Sequence, residues 1–191
     1  MASQLCLVLG GVRSGKSAFA EARVTELSGV DDKPVLYVAT GVAFDDEMKD
    51  RIQRHRESRS QEWSTLEESV KLSERLAPLL AADQSPGTVI IDSVDVWVAN
   101  LLMENQAENR RSLENIVMNE ADKLLALAKK SPQAFVFVSS EVGLSLVPPE
   151  PLGRSFQDAL GTVNQRIAAA ATEVYLVIAG IATKIKSAGT E

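Results

Sequence analysis

The apolar run "LCLVLG" at residues 5–10 leads directly into "GGVRSGKS", and no other stretch restricts the fold as tightly. A near-continuous apolar run of this length suits a strand buried on both faces, not one alternating between core and solvent. The glycine-rich stretch after it fits G-x-x-x-x-G-K-[ST], with Gly10, Gly15, Lys16 and Ser17 in the fixed places. Glycines let the backbone turn tightly and aim its N–H groups at phosphate oxygens, and the helix expected over 16–28 adds the positive end of its dipole. The expectation is that Gly10, Gly11, Val12, Arg13, Ser14, Gly15, Lys16 and Ser17 cradle a nucleoside triphosphate, ATP or GTP. Lys16 would reach the β- and γ-phosphates, and the Ser17 hydroxyl would ligate Mg²⁺.

Four more runs share this character: "VLYVAT" (35–40), "TVIID" (88–92), "AFVFVSS" (134–140) and "EVYLVIAG" (173–180). Helical patterns fall between them, over 16–28, 45–59, 66–82, 155–171 and the long segment 94–130, which has room for two helices. Strand and helix alternating in this way predict a doubly wound, mostly parallel α/β sheet of the P-loop NTPase type (RecA-like), with ligands beyond the carboxyl ends of the strands. No repeat or linker divides the chain, so residues 1–191 read as a single nucleotide-binding domain. "SLVPPEPLGR" (145–154) is a proline-rich loop suited to a lid or a subunit contact.

Composition narrows the function. With 20 Lys+Arg against 26 Asp+Glu the net charge is −6, which argues against a protein that coats nucleic-acid phosphates. No stretch reaches the roughly 18–20 apolar residues of a membrane span. The single cysteine, Cys6, lies inside an apolar run; with no disulfide available, a reducing cytoplasm is expected and a zinc site is not.

A phosphate loop needs a carboxylate on a neighbouring strand to position magnesium. Asp92 closes "TVIID" and is the first choice; Asp95 lies three residues on, and Glu141 comes directly after "AFVFVSS". Strand-tip acids also serve plain solubility.

The one histidine, His55, sits in "RIQRHRESR" among four arginines. On a helix over 45–59, Phe44, Met48 and Ile52 would form a packing stripe, with Arg51, His55 and Arg59 beside it. An imidazole between two cations tends to stay neutral, and a neutral imidazole can attack phosphorus while guanidinium groups hold the phosphate charge. A solvated surface histidine in a charged helix accounts for the same pattern.

Taken in order, "GGVRSGKS", "VLYVAT", "DDEMKDRIQRHRESR", "EWSTLEE" and "VNQRIAAAATEVYLVIAGIATKIK" resemble the bifunctional adenosylcobinamide kinase/adenosylcobinamide-phosphate guanylyltransferases of cobalamin biosynthesis, from about residue 5 to residue 186. The resemblance implies two reactions. A nucleoside triphosphate phosphorylates the aminopropanol hydroxyl of adenosylcobinamide, and GTP then gives GMP to that phosphate through a guanylylated histidine, releasing pyrophosphate. The matching histidine is His55. Ala39, Thr40 and Gly41 match a nucleotide-contacting turn; His55, Arg56, Glu57 and Ser58 match the guanylylated segment; Glu67 and Asp92 match nucleotide-contacting acids. A homotrimer is also implied, with the apolar "DVWVANLLM" (95–103) as an interface or as core. The sequence departs from the family pattern in Gly41, where Ser is more usual, in Asp92 for Glu, and in "SSEVG" for "TNEVG". A small-molecule kinase, a regulatory nucleotide switch and a RecA-like DNA ATPase share the phosphate loop alone.

Overall fold

A computed structural model describes residues 4–29, 33–42, 60 and 62–187. Seven strands, β1 (Leu5–Gly10), β2 (Val35–Ala39), β3 (Ser64–Glu67), β4 (Thr88–Asp92), β5 (Ala134–Ser140), β6 (Glu173–Ile178) and β7 (Ile181–Lys186), form one sheet in the order β3-β2-β4-β5-β1-β6-β7. Every pairing is parallel except β6 with β7. The described helices are α1 (Lys16–Ser28), α2 (Leu72–Leu80), α3 (Val94–Glu104), α4 (Arg110–Lys130) and α5 (Pro151–Ala170).

Side chains of a strand alternate between faces, so the apolar runs feed two cores. Cys6, Val8, Tyr37, Ile90, Val136 and Val138 face α1 through Ala20 and Val24. Leu5, Leu7, Leu36, Val89, Ile91, Phe135 and Phe137 face the helices α2–α5. Helices on both faces make the fold doubly wound, as the sequence predicts. The stretch 95–103 belongs to the second core: Trp97, Val98, Leu101 and Leu102 are buried, and only Met103 among its large apolar residues is exposed.

Two elements differ from expectation. Residues 66–82 do not begin as helix: Ser64–Glu67 pairs with β2 as an edge strand, and α2 starts at Leu72. The switch is made by Glu68, whose Oε1 accepts from the Val70 and Lys71 amides at 2.9 Å each and so supplies acceptors where a helix begins. The C-terminal strand β7 comes after a two-residue turn in which Ala179 (φ 51°) and Gly180 (φ 81°) are both left-handed, the backbone that joins antiparallel strands tightly. The proline-rich loop is also shorter than expected, because Pro151 opens α5. A proline fits a first helical turn, where its missing N–H is not needed.

Candidate active site at the carboxyl edge of the sheet

The glycine-rich turn bridges β1 and α1. Gly10 has no room for a side chain: a Cβ there would lie 2.4 Å from Ser14 Oγ and 2.7 Å from the Val177 carbonyl oxygen. Arg13 (φ 55°) and Gly15 (φ 92°) take left-handed backbone, which turns the chain back towards the helix. The turn is held from inside by Ser14 N–H donating to the Gly11 carbonyl at 3.3 Å, and from outside by the β6–β7 turn, where Gly180 N–H donates to the Ser14 carbonyl at 2.8 Å. No side chain caps the N-terminus of α1 and no acid lies in its first turn. Its leading amides are therefore open to an anion.

Two side chains complete the loop. Lys16 Nζ donates to the Gly11 carbonyl at 3.3 Å, which keeps the ammonium over the mouth of the turn. Ser14 Oγ is buried without a hydrogen-bond partner among the described residues. An orphaned hydroxyl is costly, and this one lies inside the glycine-rich turn against Gly10.

The strand tips on the β5 side of the turn carry the remaining sequence-derived residues. Parallel register sets Gly10 against Ser140, Asp92 against Ala39, and Ala39 against Glu67. The residues proposed for the nucleotide thus line one edge across β1, β4, β2 and β3. At a strand spacing near 4.8 Å, the four steps from β1 to β3 cover about 19 Å.

Thr40 is buried, and its side chain is engaged internally. Its Oγ1 donates to the Ser93 carbonyl and accepts from the Ser93 amide, both at 2.8 Å. The Thr40 carbonyl accepts from Asn100 Nδ2 at 2.9 Å. The Ala39 carbonyl accepts from the Glu68 amide at 3.1 Å, so this turn can present a ligand with the backbone of Gly41 but not with the Thr40 hydroxyl. Sequence reasoning had no signal for Ser93 and Asn100 as its partners.

The three strand-tip acids fare differently. Asp92 Oδ2 accepts from the Tyr37 hydroxyl at 2.6 Å. Glu141 has both oxygens engaged by its own loop, from Gly143 N–H at 2.8 Å and Leu144 N–H at 3.0 Å. Asp95, in the first turn of α3, accepts from Ser140 Oγ at 2.8 Å through Oδ2, while its Oδ1 is buried without a partner among the described residues. Ser140 is fixed in turn by Asn164 of α5, whose Nδ2 donates to the Ser140 carbonyl at 3.0 Å and whose Oδ1 accepts from Ser139 Oγ at 2.6 Å. Asn164 lies in the "VNQR" motif, which sequence alone left without a role.

His55, Arg56, Glu57 and Ser58 lie outside the described residues, as does the helical pattern over 45–59. Among the described residues no group of three His, Cys, Asp or Glu side chains could hold a metal, and no helix is long and apolar enough to cross a membrane. Burial, with a smaller push from Glu173, raises the Cys6 thiol to about 12, so it stays protonated and unreactive. A cleft of about 610 Å³ lined by Gln4, Lys33, Pro86 and Gln133 opens at the opposite, amino-terminal edge of the sheet. That is the wrong end for a ligand of a doubly wound fold.

Fold and turn together define an α/β protein of the P-loop nucleotide-binding class, with its glycine-rich turn at the β1–α1 junction. Residues 6–185 match the family described as cobinamide kinase / cobinamide phosphate guanyltransferase, and the chain belongs to that family. It is 40% identical to the bifunctional adenosylcobalamin biosynthesis protein CobU of Escherichia coli over 189 residues, 95% of this chain and 99% of the relative. The CobU of Salmonella typhimurium matches at the same identity and coverage. The corresponding Pseudomonas aeruginosa protein, CobP, is 35% identical over 180 residues, 94% of this chain and 96% of the relative.

Proposed function

We propose that this protein is a bifunctional transferase of cobalamin biosynthesis, acting as a single catalytic domain. It phosphorylates adenosylcobinamide with ATP or GTP, and then converts the phosphate to adenosylcobinamide-GDP with GTP, releasing pyrophosphate. The observation that carries this reading is the phosphate loop at the β1–α1 junction, within a chain that matches the cobinamide family over residues 6–185. Gly10 through Ser17 hold the triphosphate, and Lys16 offsets charge that builds on the phosphates during transfer.

Mg²⁺ fits this loop. The Ser17 hydroxyl stands in the first turn of α1, and Asp92 closes β4, one strand beyond β5 on the same edge of the sheet. A hydroxyl and one carboxylate suit a cation that draws most of its ligands from nucleotide and water. When bound, the ion neutralises phosphate charge. Ala39, Gly41, Glu67 and Asp92 extend the nucleotide site along the sheet edge.

For the second reaction, His55 is the nucleophile, with Arg56, Glu57 and Ser58 beside it in sequence. Its imidazole nitrogen bonds the α-phosphorus as the bond to pyrophosphate breaks. A cobinamide phosphate oxygen then displaces the histidine, so one difficult displacement becomes two easier ones. We further propose a homotrimer and a cytoplasmic location. Exposed Leu144, Leu146, Val147 and Ile181 support the first, and the buried free thiol of Cys6 supports the second.

Mass-spectrometric product analysis with adenosylcobinamide, ATP, GTP and Mg²⁺ tests the reading. Formation of the phosphate and then the GDP derivative is expected; binding of nucleotide with no corrinoid product overturns it. With α-³²P-GTP, acid-labile and alkali-stable label should appear on the wild-type protein and be absent from His55→Ala.

A further inference from the structure

We infer that Asp95, not Asp92 or Glu141, is the catalytic carboxylate that receives the proton of the attacking hydroxyl in the kinase step; this rests on the function proposed above. All three acids stand at the carboxyl edge of the sheet, Asp92 and Glu141 at strand ends and Asp95 in the first turn of α3. They differ in what already occupies them. Both Glu141 oxygens accept from amides of its own loop. Asp92 is tied to Tyr37 by a 2.6 Å hydrogen bond on the β2 side of β4. Asp95 is held on one oxygen by Ser140 and has the other buried and unpaired among the described residues.

The placement of that carboxylate points to the phosphate loop. Ser140, which holds it, is the register partner of Gly10, and the next residue, Glu141, donates its amide to the Gly10 carbonyl at 3.2 Å. Ser140 thus lies about one strand spacing from the first loop residue, and the carboxylate is hydrogen-bonded to its hydroxyl at the tip of the strand beside the turn. Ser140 is itself pinned by Asn164 through its carbonyl, so Asp95 is oriented by a chain of hydrogen bonds reaching α5. A buried carboxylate oxygen with no donor lacks the partner that such groups normally have. A substrate hydroxyl brought in line with the γ-phosphate would supply it.

The step balances. The aminopropanol oxygen forms a bond to the γ-phosphorus while the bond from that phosphorus to the β,γ-bridging oxygen breaks. The nucleoside diphosphate leaves, and the hydroxyl proton passes to Asp95 Oδ1. Guanylyl transfer has no such requirement, because its final nucleophile is a phosphate oxygen with no proton to lose. Asp95 should therefore matter to one reaction and not to the other.

The test is Asp95→Asn in the full chain, which keeps an acceptor for Ser140 and the side-chain shape. The two reactions are assayed separately, adenosylcobinamide with ATP or GTP, and adenosylcobinamide phosphate with GTP. Mn²⁺·GTP affinity is measured in parallel by electron paramagnetic resonance. The expected result is a loss of about 10²–10⁴-fold in kcat for phosphorylation, with guanylyl transfer and Mn²⁺·GTP affinity changed no more than a few-fold. Equal loss in both reactions together with weaker Mn²⁺ binding assigns Asp95 to the metal and overturns the inference; so does a wild-type rate of phosphorylation. Asp92→Asn serves as the control for folding and for the alternative carboxylate, and a larger kinase-specific loss there than in Asp95→Asn also overturns it. If the wild-type protein makes no corrinoid phosphate from either nucleotide, the underlying function has failed instead, and the inference falls with it.

Discussion

Two turns at the same edge of the sheet are built on opposite plans. After β2, Thr40 closes its hydroxyl and carbonyl onto Ser93 and Asn100, so the polar side chain is satisfied from within. After β1, the phosphate loop leaves Ser14 Oγ unpartnered among the described residues and the first amides of α1 uncapped by any side chain. One turn is a brace between β2 and the β4–α3 junction; the other keeps polar groups unpaired, which is what the proposed phosphate site requires.

The largest test of that contrast is Lys16→Ala. The side chain donates to the Gly11 carbonyl of its own loop, so the fold should persist without it. Loss of a cation at the phosphates should lower kcat/KM of phosphoryl and guanylyl transfer by about 10²–10³-fold. Steady-state assays of each reaction check this, and a thermal midpoint that drops with activity would mean the loop is part of the brace.

Gly10→Ala comes next. Its methyl would meet Ser14 Oγ at 2.4 Å and the Val177 carbonyl oxygen at 2.7 Å. Ser14 has other rotamers but backbone does not, so overpacking should cost about 1–3 kcal/mol of stability and weaken nucleotide binding as the turn opens. Denaturant unfolding with and without Mg²⁺·GTP reads both effects.

Removing one hydroxyl from each turn gives the sharpest version of the comparison. Thr40→Val keeps the shape but strands the Ser93 amide, a buried group worth about 1–3 kcal/mol when unsatisfied, while the Ser93 carbonyl keeps the Trp97 N–H at 3.1 Å. Ser14→Ala removes a hydroxyl that has no partner among the described residues. The ligand-free protein should then be unchanged or slightly more stable, while nucleotide affinity falls. Chemical denaturation of the two variants without nucleotide should therefore give clearly different signs or sizes. Equal destabilisation would break the distinction between the turns.

The same physics decides which parts were legible in the sequence. Strands buried on both faces are near-continuous apolar runs, and their order between helical patterns predicts the sheet; the phosphate loop is local in sequence and equally visible. The edge strands were not. Ser64–Glu67 is four residues long with one buried side chain, Leu66, and β7 is largely exposed; each is strand because of backbone pairing with a neighbour. The hierarchy among the acids was also hidden. Tyr37 and Asp92 are 55 positions apart, and Ser140 and Asp95 are 45. No window of sequence shows which carboxylate oxygen is left over once such partners meet.

The smallest effect concerns support of the loop from outside. The β6–β7 turn that donates to the Ser14 carbonyl is anchored at the far end of its hairpin by Glu173, which accepts from Arg23 of α1 and Lys184 of β7 at 2.7 Å each. Burial alone would raise the Glu173 carboxyl, but the hydrogen bonds from Lys184 and Arg23 outweigh it and hold the group below the usual glutamate range. A carboxyl depressed in the folded state stabilises the protein fully above its unfolded value, near 4.3. That contribution disappears as the pH falls through the folded value. Glu173→Gln should thus be less stable than wild type at neutral pH, and the gap should close as the solution is acidified below about pH 4. The pH dependence of unfolding in the two proteins measures this directly. A gap that stays constant with pH would mean that Glu173 acts through packing and not through charge, and that the hairpin supports the phosphate loop independently of its ion pairs.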